Sequence, residues 1–322
     1  MKKVLGFGAA LVDMVAQVDD AWIHKVKLSK GGQRSVDYPA LKSVLDQIHN
    51  AQRVPGGAAC NTMVGVAKLG GKSSFLAKVG RDELGELYAK HLTDSGVENF
   101  LLQSWTETGT VLSAVTPDAE RTMLTFLGAS NEVVPSEIHS ELFDGVGIVY
   151  LEGYRAYSED CFVKMIQEAR KRGVMTALDF GAFGVVNDCR SLFDKLFAGK
   201  EIDIVIANED EAKVYTGESE EAALEKLAQL SKIAVVKLGK RGALISKDGV
   251  MTRVPCGPAK AIDTTGAGDL WASGFLYGIL SGWDMERSGK LGSIVSNEVV
   301  QVIGAQIPEE GWARIHEEMK HV

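Results

Sequence analysis

"DTTGAGDLWASGF", residues 263–275, places two acidic residues and two glycines within seven positions and then runs into a helix-like apolar stretch. A helix N-terminus carries about half a positive charge and leaves its first N–H groups unpaired, so it draws anions. Gly266, Ala267 and Gly268 would offer three backbone N–H donors with almost no side-chain bulk at such an end. That arrangement suits the oxygens of a transferring phosphoryl group, whose catalysis is mostly positioning and charge stabilisation. Asp269, next in line, is ionised at neutral pH if its pKa is the ordinary value of about 3.9, and can then accept the proton of an attacking hydroxyl. The same residues also fit a glycine turn with an acidic first-turn residue, common where helices start.

Two further groups extend the pattern. "ANEDEAKVY" sets Asn208 and Glu211 three apart, just after the strand-like "DIVIA", where the sheet of an α/β protein gathers its ligands. The pair suits a hydrated Mg²⁺ and the phosphates it bridges, Glu211 acting through water, and equally a helix cap with a glutamate at its third position. "GFGAALVD" and "PGGAACN" contribute Asp13, Gly56, Gly57 and Asn61: a carboxylate, two bare backbone positions and an amide, a set able to grip vicinal hydroxyls or to serve as turns and caps. Two nucleotide signatures fail. "GFGAAL" has Leu11 where G-x-G-x-x-G needs its third glycine, and "GVAKLGGKSS" has Val66 where a P-loop needs its first.

Short apolar strands alternate with helical stretches through most of the 322 residues, which predicts an α/β fold with a mainly parallel sheet covered on both faces. Residues 14–54 and 99–126 break that rhythm and are expected to form a small β-rich lid. Residues 1–13, 55–98 and 127–322 would make the large domain. A net charge of −8 without a basic cluster argues against a nucleic-acid partner. "MKKVLGFGAALVDM" reads as a first strand rather than a signal peptide, and no apolar run is long enough to span a membrane. Four cysteines far apart in sequence give no disulfide framework or zinc spacing, and a cytoplasmic location is the simplest expectation.

These pieces, in this order, resemble the PfkB/ribokinase family of carbohydrate and nucleoside kinases along nearly the whole chain. "PGGAACNTMVGVAKLGGKSSFLAKVGRDELG" is similar to its first signature, "NEDEA" to its N-x-x-E motif and "DTTGAGDLWASGF" to its second signature. The resemblance implies a ribokinase-like three-layer sandwich with a small lid. It also implies ATP and Mg²⁺, with K⁺ as a further candidate through a monovalent-cation loop near Asp263 and Thr264. Asp269 falls at the catalytic base and Gly266 to Gly268 at the anion hole. Asn208 and Glu211 fall at the magnesium and phosphate motif, and Asp13, Gly56, Gly57 and Asn61 at contacts to substrate hydroxyls. "KLGKRG", with Lys237 and Gly239, lies where relatives carry a T-L-G-like strand end on the nucleotide side, with lysine replacing threonine. Asn297 lies where relatives line the adenine pocket.

Asp13 and Gly56 are separated by a longer insert than in ribokinase-like relatives, one similar to the lid of adenosine kinases. "ERTMLTFLGAS" is similar to the adenosine-kinase segment that brings an arginine to the transferred phosphate, here Arg121. The expected acceptor is therefore the 5′-hydroxyl of adenosine, with Trp22, Tyr38 and Phe126 as candidate walls for a purine or as ordinary lid packing. The alternatives are a sugar kinase for ribose, fructose or a 2-keto-3-deoxy sugar acid, and a non-catalytic nucleotide- or sugar-binding regulator. The expected partner is a small nucleoside or sugar, and the protein is expected to be a monomer or a homodimer.

Overall fold

The computed structural model describes residues 1–48, 50–118 and 120–322. In chain order its strands are β1 (Lys3–Phe7), β2 (Leu11–Gln17), β3 (Gln33–Ser35), β4 (Gln52–Gly56), β5 (Lys72–Gly80), β6 (Glu98–Ser104), β7 (Gly109–Val115), β8 (Arg121–Phe126), β9 (Val146–Glu152), β10 (Met175–Asp179), β11 (Ile204–Asn208), β12 (Ile233–Lys237), β13 (Ala243–Lys247) and β14 (Val250–Val254). Nine of them form one sheet in the order β14-β13-β12-β11-β10-β9-β1-β5-β6. All its neighbours run parallel except at β13 and β14, which return as antiparallel hairpins at one edge. Its strands read as unbroken apolar runs because both faces are covered. β9, "VGIVYLE", is buried at every position.

Successive residues of β1 feed opposite layers, as the period-two pleat requires. Val4 packs with Met63, Phe75 and Phe275 under the helices Ala58–Lys68 and Ala267–Leu280. Leu5 and Phe7 pack on the other side with Phe162, Phe180 and Phe193. The result is the expected helix–sheet–helix sandwich of an α/β fold. Among the described residues no helix is long and apolar enough to cross a membrane.

A second sheet, in the order β3-β8-β7-β2-β4, stands over the carboxyl side of β1 and carries its own small core of Ala16, Leu41, Leu112 and Leu124. The lid boundaries differ from expectation in three places, the first being that β4 pairs within this second sheet through Gly56, past the expected end at residue 54. β2 begins at Leu11 and pairs wholly within this second sheet, so the lid starts before residue 14. Residues 99–104, expected in the lid, instead belong to β6 and pair in parallel with β5 of the large sheet, Ser74 beside Glu98 through to Gly80 beside Ser104. The helix Glu83–Asp94 joins those two strands as an ordinary βαβ crossover, which binds residues 98–104 to the sheet from which the chain has just left. Trp22, Tyr38 and Phe126, candidate purine walls or lid packing, make contacts within the lid. The rings of Tyr38 and Phe126 meet at 5.4 Å, and Trp22 and Phe126 lie against the lid core.

The helix Ala267–Leu280 is apolar nearly all round because it is enclosed between the sheet and the helix Met285–Val299. The two helices cross at Gly274. A Cβ there would sit 2.7 Å from the amide nitrogen of Gly292 and 2.8 Å from the Leu291 carbonyl carbon, backbone that cannot step aside. Gly274→Ala is therefore expected to destabilise the protein by about 1–3 kcal/mol through overpacking, read as a lower urea midpoint at unchanged m-value. An unchanged midpoint would mean the helices are not held at this spacing.

Candidate active site

The parallel strands end together, and their last residues carry the polar groups. Glu152 closes β9 in register beside Asp179, which closes β10; Asn208 closes β11 beside Lys237, which closes β12. The N-terminus of the helix Ala267–Leu280 faces this row. Gly266 caps that helix in the left-handed region at φ 74°, and a Cβ on it would meet the Ala305 Cβ at 2.5 Å. Only glycine makes this turn without strain. Ala267 and Gly268 follow in the first helical turn with Asp269.

Asp269 is held from the opposite side by the helix Ala58–Lys68. Asn61 Nδ2 donates to Asp269 Oδ2 at 2.9 Å, and the Thr62 hydroxyl donates to the Asp269 carbonyl at 3.1 Å. Burial lifts the Asp269 carboxyl to about 6, with Asn61 opposing the rise and Asp179 adding to it. Gly57 caps the Asn61 helix at φ 101°, where a Cβ would strike the Ala9 carbonyl oxygen at 2.4 Å. Gly56 lies against Asp13, whose Oδ2 would be 2.6 Å from a Cβ at that glycine. Loss of water raises the Asp13 carboxyl to about 6, although Arg121 draws it back down. Asp13, Gly56, Gly57 and Asn61 thus form a continuous border between the lid and Asp269.

Two cavities meet at the glycine turn. The inner one, about 200 Å³, is walled by Tyr150, Glu152, Asp179, Glu211 and Asp269, with Gly266 and Gly268 at one end. The outer one, about 340 Å³, is walled by Gly239, Gly242, Cys256, Trp271, Ser293 and Ser296. Asn208, Lys237 and Gly268 line both. Asn297, the expected adenine contact, stands one step back: its amide oxygen accepts the Cys256 thiol at 2.7 Å, while Ser293 and Ser296 reach the wall. Residues three apart share a helix face, so the neighbour of a lining residue turns away.

Asn208 and Glu211 form a closed capping box. The Asn208 N–H donates to Glu211 Oε2 at 2.8 Å, Asn208 Nδ2 donates to Glu211 Oε1 at 2.8 Å, and the Glu211 N–H donates to Asn208 Oδ1 at 2.9 Å. Burial and then the nearby Asp179 raise the Glu211 carboxyl. Among the described residues no three His, Cys, Asp or Glu side chains converge as a metal cage. The crowded pair of Glu211 and Asp179 fits a divalent ion held through water and phosphate oxygens, the habit of Mg²⁺. Asp263 does not fit a monovalent cation. Its Oδ1 accepts the Thr265 N–H at 3.0 Å and the Thr265 hydroxyl at 2.8 Å, and its Oδ2 accepts the Gly304 N–H at 2.7 Å and the guanidinium of Arg121. Burial alone would raise this carboxyl, but those donors and Arg121 together hold it below its ordinary value. Both oxygens are taken by donors, so the expectation of K⁺ at this side chain is corrected. Thr264 is exposed, its carbonyl accepting the Ala267 N–H at 3.2 Å. Arg121 also donates to the Thr265 hydroxyl at 2.8 Å, so it reaches across from the lid to the loop before the glycine turn.

Two groups of the site, Asp179 and Glu152, are not among the candidates drawn from the sequence. Asp179 accepts from Lys237 Nζ at 2.9 Å and from the Tyr150 hydroxyl at 3.3 Å. Glu152, 4% exposed, accepts the Ala59 N–H at 3.0 Å, and burial raises it to about 7. The Lys237 ammonium, expected on the nucleotide side, lies beside Gly268. The available signal was a charged residue closing each apolar strand, in "GIVYLEG", "VMTALDF" and "IAVVKLG".

Residues 31–312 match the pfkB family of carbohydrate kinases. Among solved structures, a probable sugar kinase from Rhizobium etli superposes with a TM-score of 0.90 at 30% identity, covering 100% of this chain and 99% of its own. An adenosine kinase from Sinorhizobium meliloti superposes with a TM-score of 0.88 at 31% identity, covering 98% and 99%. A 5-dehydro-2-deoxygluconokinase from Clostridium beijerinckii is 26% identical over 84% of this chain and 86% of its own.

The raised carboxyls set a pH dependence. Asp13, Asp269, Glu152 and Glu211 all bind protons more tightly folded than unfolded. Their stabilising protonation is complete below their unfolded values and is lost as pH climbs through about 6 to about 7. His91, depressed by burial, pulls the other way, one group against four. The ligand-free protein should therefore show a urea midpoint that falls from about pH 5 to about pH 7.5. A flat or rising midpoint would show that these carboxyls are not desolvated together.

Proposed function

The chain belongs to the pfkB family of carbohydrate kinases, and from that premise we propose that it transfers the γ-phosphoryl of ATP to the 5′-hydroxyl of adenosine. The observation that carries the phosphoryl-transfer reading is the place of Asp269 in the wall of the inner cavity, next to Gly268, which lines both cavities. The outer cavity takes the donor and the inner one the acceptor. As the acceptor oxygen attacks, the bond from the γ-phosphorus to the ADP oxygen breaks and a new phosphorus–oxygen bond forms. The hydroxyl proton passes to Asp269, so that ATP and the alcohol yield ADP, the phosphate ester and a proton. The glycine-turn amides receive charge on the moving group, and Asn61 holds the base in place. Asn208 and Glu211 would hold Mg²⁺ through water; the chemistry it supplies when bound is neutralisation of the donor phosphates. The lid over Asp13 excludes water from the acceptor.

Electrostatics narrows the acceptor. Glu152, Asp179, Glu211 and Asp269 line the inner cavity with Lys237 as its one cation among the described residues, and an acceptor carrying its own carboxylate would add a like charge in a poorly hydrated cleft. A neutral polyhydroxyl compound instead donates its O–H groups to them. That argument favours a nucleoside or a neutral sugar over a sugar acid. Tyr154 and Phe183, on the segments following β9 and β10, are 43% and 60% exposed. Tyr154 lies 3.2 Å from a Cβ position at Gly181, a residue of the inner wall, so an apolar surface borders the acceptor mouth. A planar base can cover that surface, whereas a free sugar leaves it wet. Neutral sugars remain the second reading, supported by the carboxylate ring itself.

A coupled ADP-release assay over adenosine, other nucleosides, ribose, fructose and a keto-deoxy sugar acid tests the proposal, with adenosine expected to be turned over best. Sole turnover of the sugar acid would overturn the neutral-acceptor argument. With the acceptor known, Asp269→Asn should lower kcat by about 10²–10⁴ with little change in KM, and near-normal turnover would remove Asp269 as base. Tyr154→Ala should raise KM for a nucleoside and leave kcat nearly unchanged; an unaltered KM would leave the aromatic rim without a role.

A further inference from the structure

Asn208, Lys237 and Gly268 alone border both cavities among the residues lining either, so a group passing between them passes these three. The Asn208 side chain is engaged with Glu211, and Gly268 offers only its backbone. Lys237 is the one that brings a full positive charge. Its side chain is 13% exposed, and a Cβ at Gly268 would lie 3.1 Å from its Nζ, so the ammonium touches the glycine turn. Burial opposes the charge, but Asp179, Glu211 and Asp269 outweigh it and keep the group protonated.

An ammonium here needs more explanation than the neutralising of Asp179. That carboxylate also accepts from the Tyr150 hydroxyl at 3.3 Å and the Gly181 N–H at 3.2 Å. Lysine has three N–H donors, and among the described residues Asp179 is the one hydrogen-bond acceptor of Lys237. Two donors are left for a ligand, on a flexible stem that can redirect them without moving the backbone. A Thr at this strand end, as in relatives, could offer a hydroxyl but no charge.

We propose that Lys237 is a catalytic residue of this kinase, its ammonium binding the oxygens of the γ-phosphoryl as it crosses from donor to acceptor, with Asp179 as the positioning residue that holds it between the cavities. The proposal rests on the phosphoryl-transfer reading above but not on the identity of the acceptor. Lys237 keeps its three protons throughout. The phosphorus–oxygen bond to ADP breaks, the bond to the acceptor oxygen forms and the proton goes to Asp269, while Lys237 contributes charge and hydrogen bonds only.

Lys237→Met, Lys237→Arg and the double variant Lys237→Met/Asp179→Asn separate this role from simple charge pairing, because the double variant neutralises the direct partner of Lys237 together with it. Both methionine variants should lose about 10²–10³ in kcat on whichever acceptor the wild type uses, with the arginine variant recovering part of it. By calorimetry, both should also lose about tenfold or more in affinity for a non-hydrolysable ATP analogue while binding ADP as the wild type does. Turnover of the double variant within about fivefold of wild type would overturn the proposal, as would an equal loss of ADP and triphosphate affinity. If the wild type turns over no tested acceptor, the calorimetric comparison still decides for or against Lys237. If the wild type binds no triphosphate, the phosphoryl-transfer reading falls first and the proposal with it. Thermal unfolding of each variant identifies any loss that comes from misfolding, and the double variant then serves as the deciding one.

Discussion

At φ 74°, Gly266 turns the chain from the Asp263 loop into the helix Ala267–Leu280, with no room for a side chain against Ala305. That turn aims the first free amides of the helix at the carboxyl ends of the parallel strands. It also sets Asp269 one residue beyond the last glycine, where Asn61 can reach it. The helix is anchored along its length by Gly274 against the backbone of Leu291 and Gly292, so the turn cannot drift relative to the sheet. The site depends on this one rigid junction between a glycine cap and a buried helix.

The second constraint is electrostatic. Glu152, Asp179, Glu211 and Asp269 share a poorly hydrated space, and burial makes each charge costly. Lys237 offsets part of that cost from within the cleft, and the backbone amides offset more. The raised carboxyls of Asp269, Glu152 and Glu211 record what remains uncompensated. A cleft of this kind favours ligands that bring donors or cations to its carboxylates and an anion to its amides. Arg121 extends the same logic to the lid: its guanidinium spans from β8 to Asp263 and Thr265, tying the second sheet to the loop that leads into the turn.

Much of this was legible because it is local. Strand–helix alternation follows from hydrophobic periodicity, and "DTTGAGD" announces a bare helix N-terminus through residue type and order alone. The Asn208–Glu211 spacing likewise determines a capping box, and the box is formed. What escaped is long-range. β6 opens the stretch expected in the lid, yet pairs with β5 because a crossover helix returns the chain to the same sheet. Tyr38 and Phe126 are candidate purine walls by position alone, and the sequence does not show that their rings meet each other, tilted, within the lid.

The linear chain by itself determined which segments become buried strands, where the anion-drawing turn lies and which carboxylate stands behind it, since each is written in neighbours a few residues apart. Only the folded arrangement decided that Glu152, Asp179 and Lys237, drawn from three separate strands, share one cleft, and that Asp263 is sealed by donors from Thr265, Gly304 and Arg121. The physical reason is that strand order and register bring together residues tens of positions apart. Burial then changes how strongly each holds its proton, and neither effect exists until the sheet has formed.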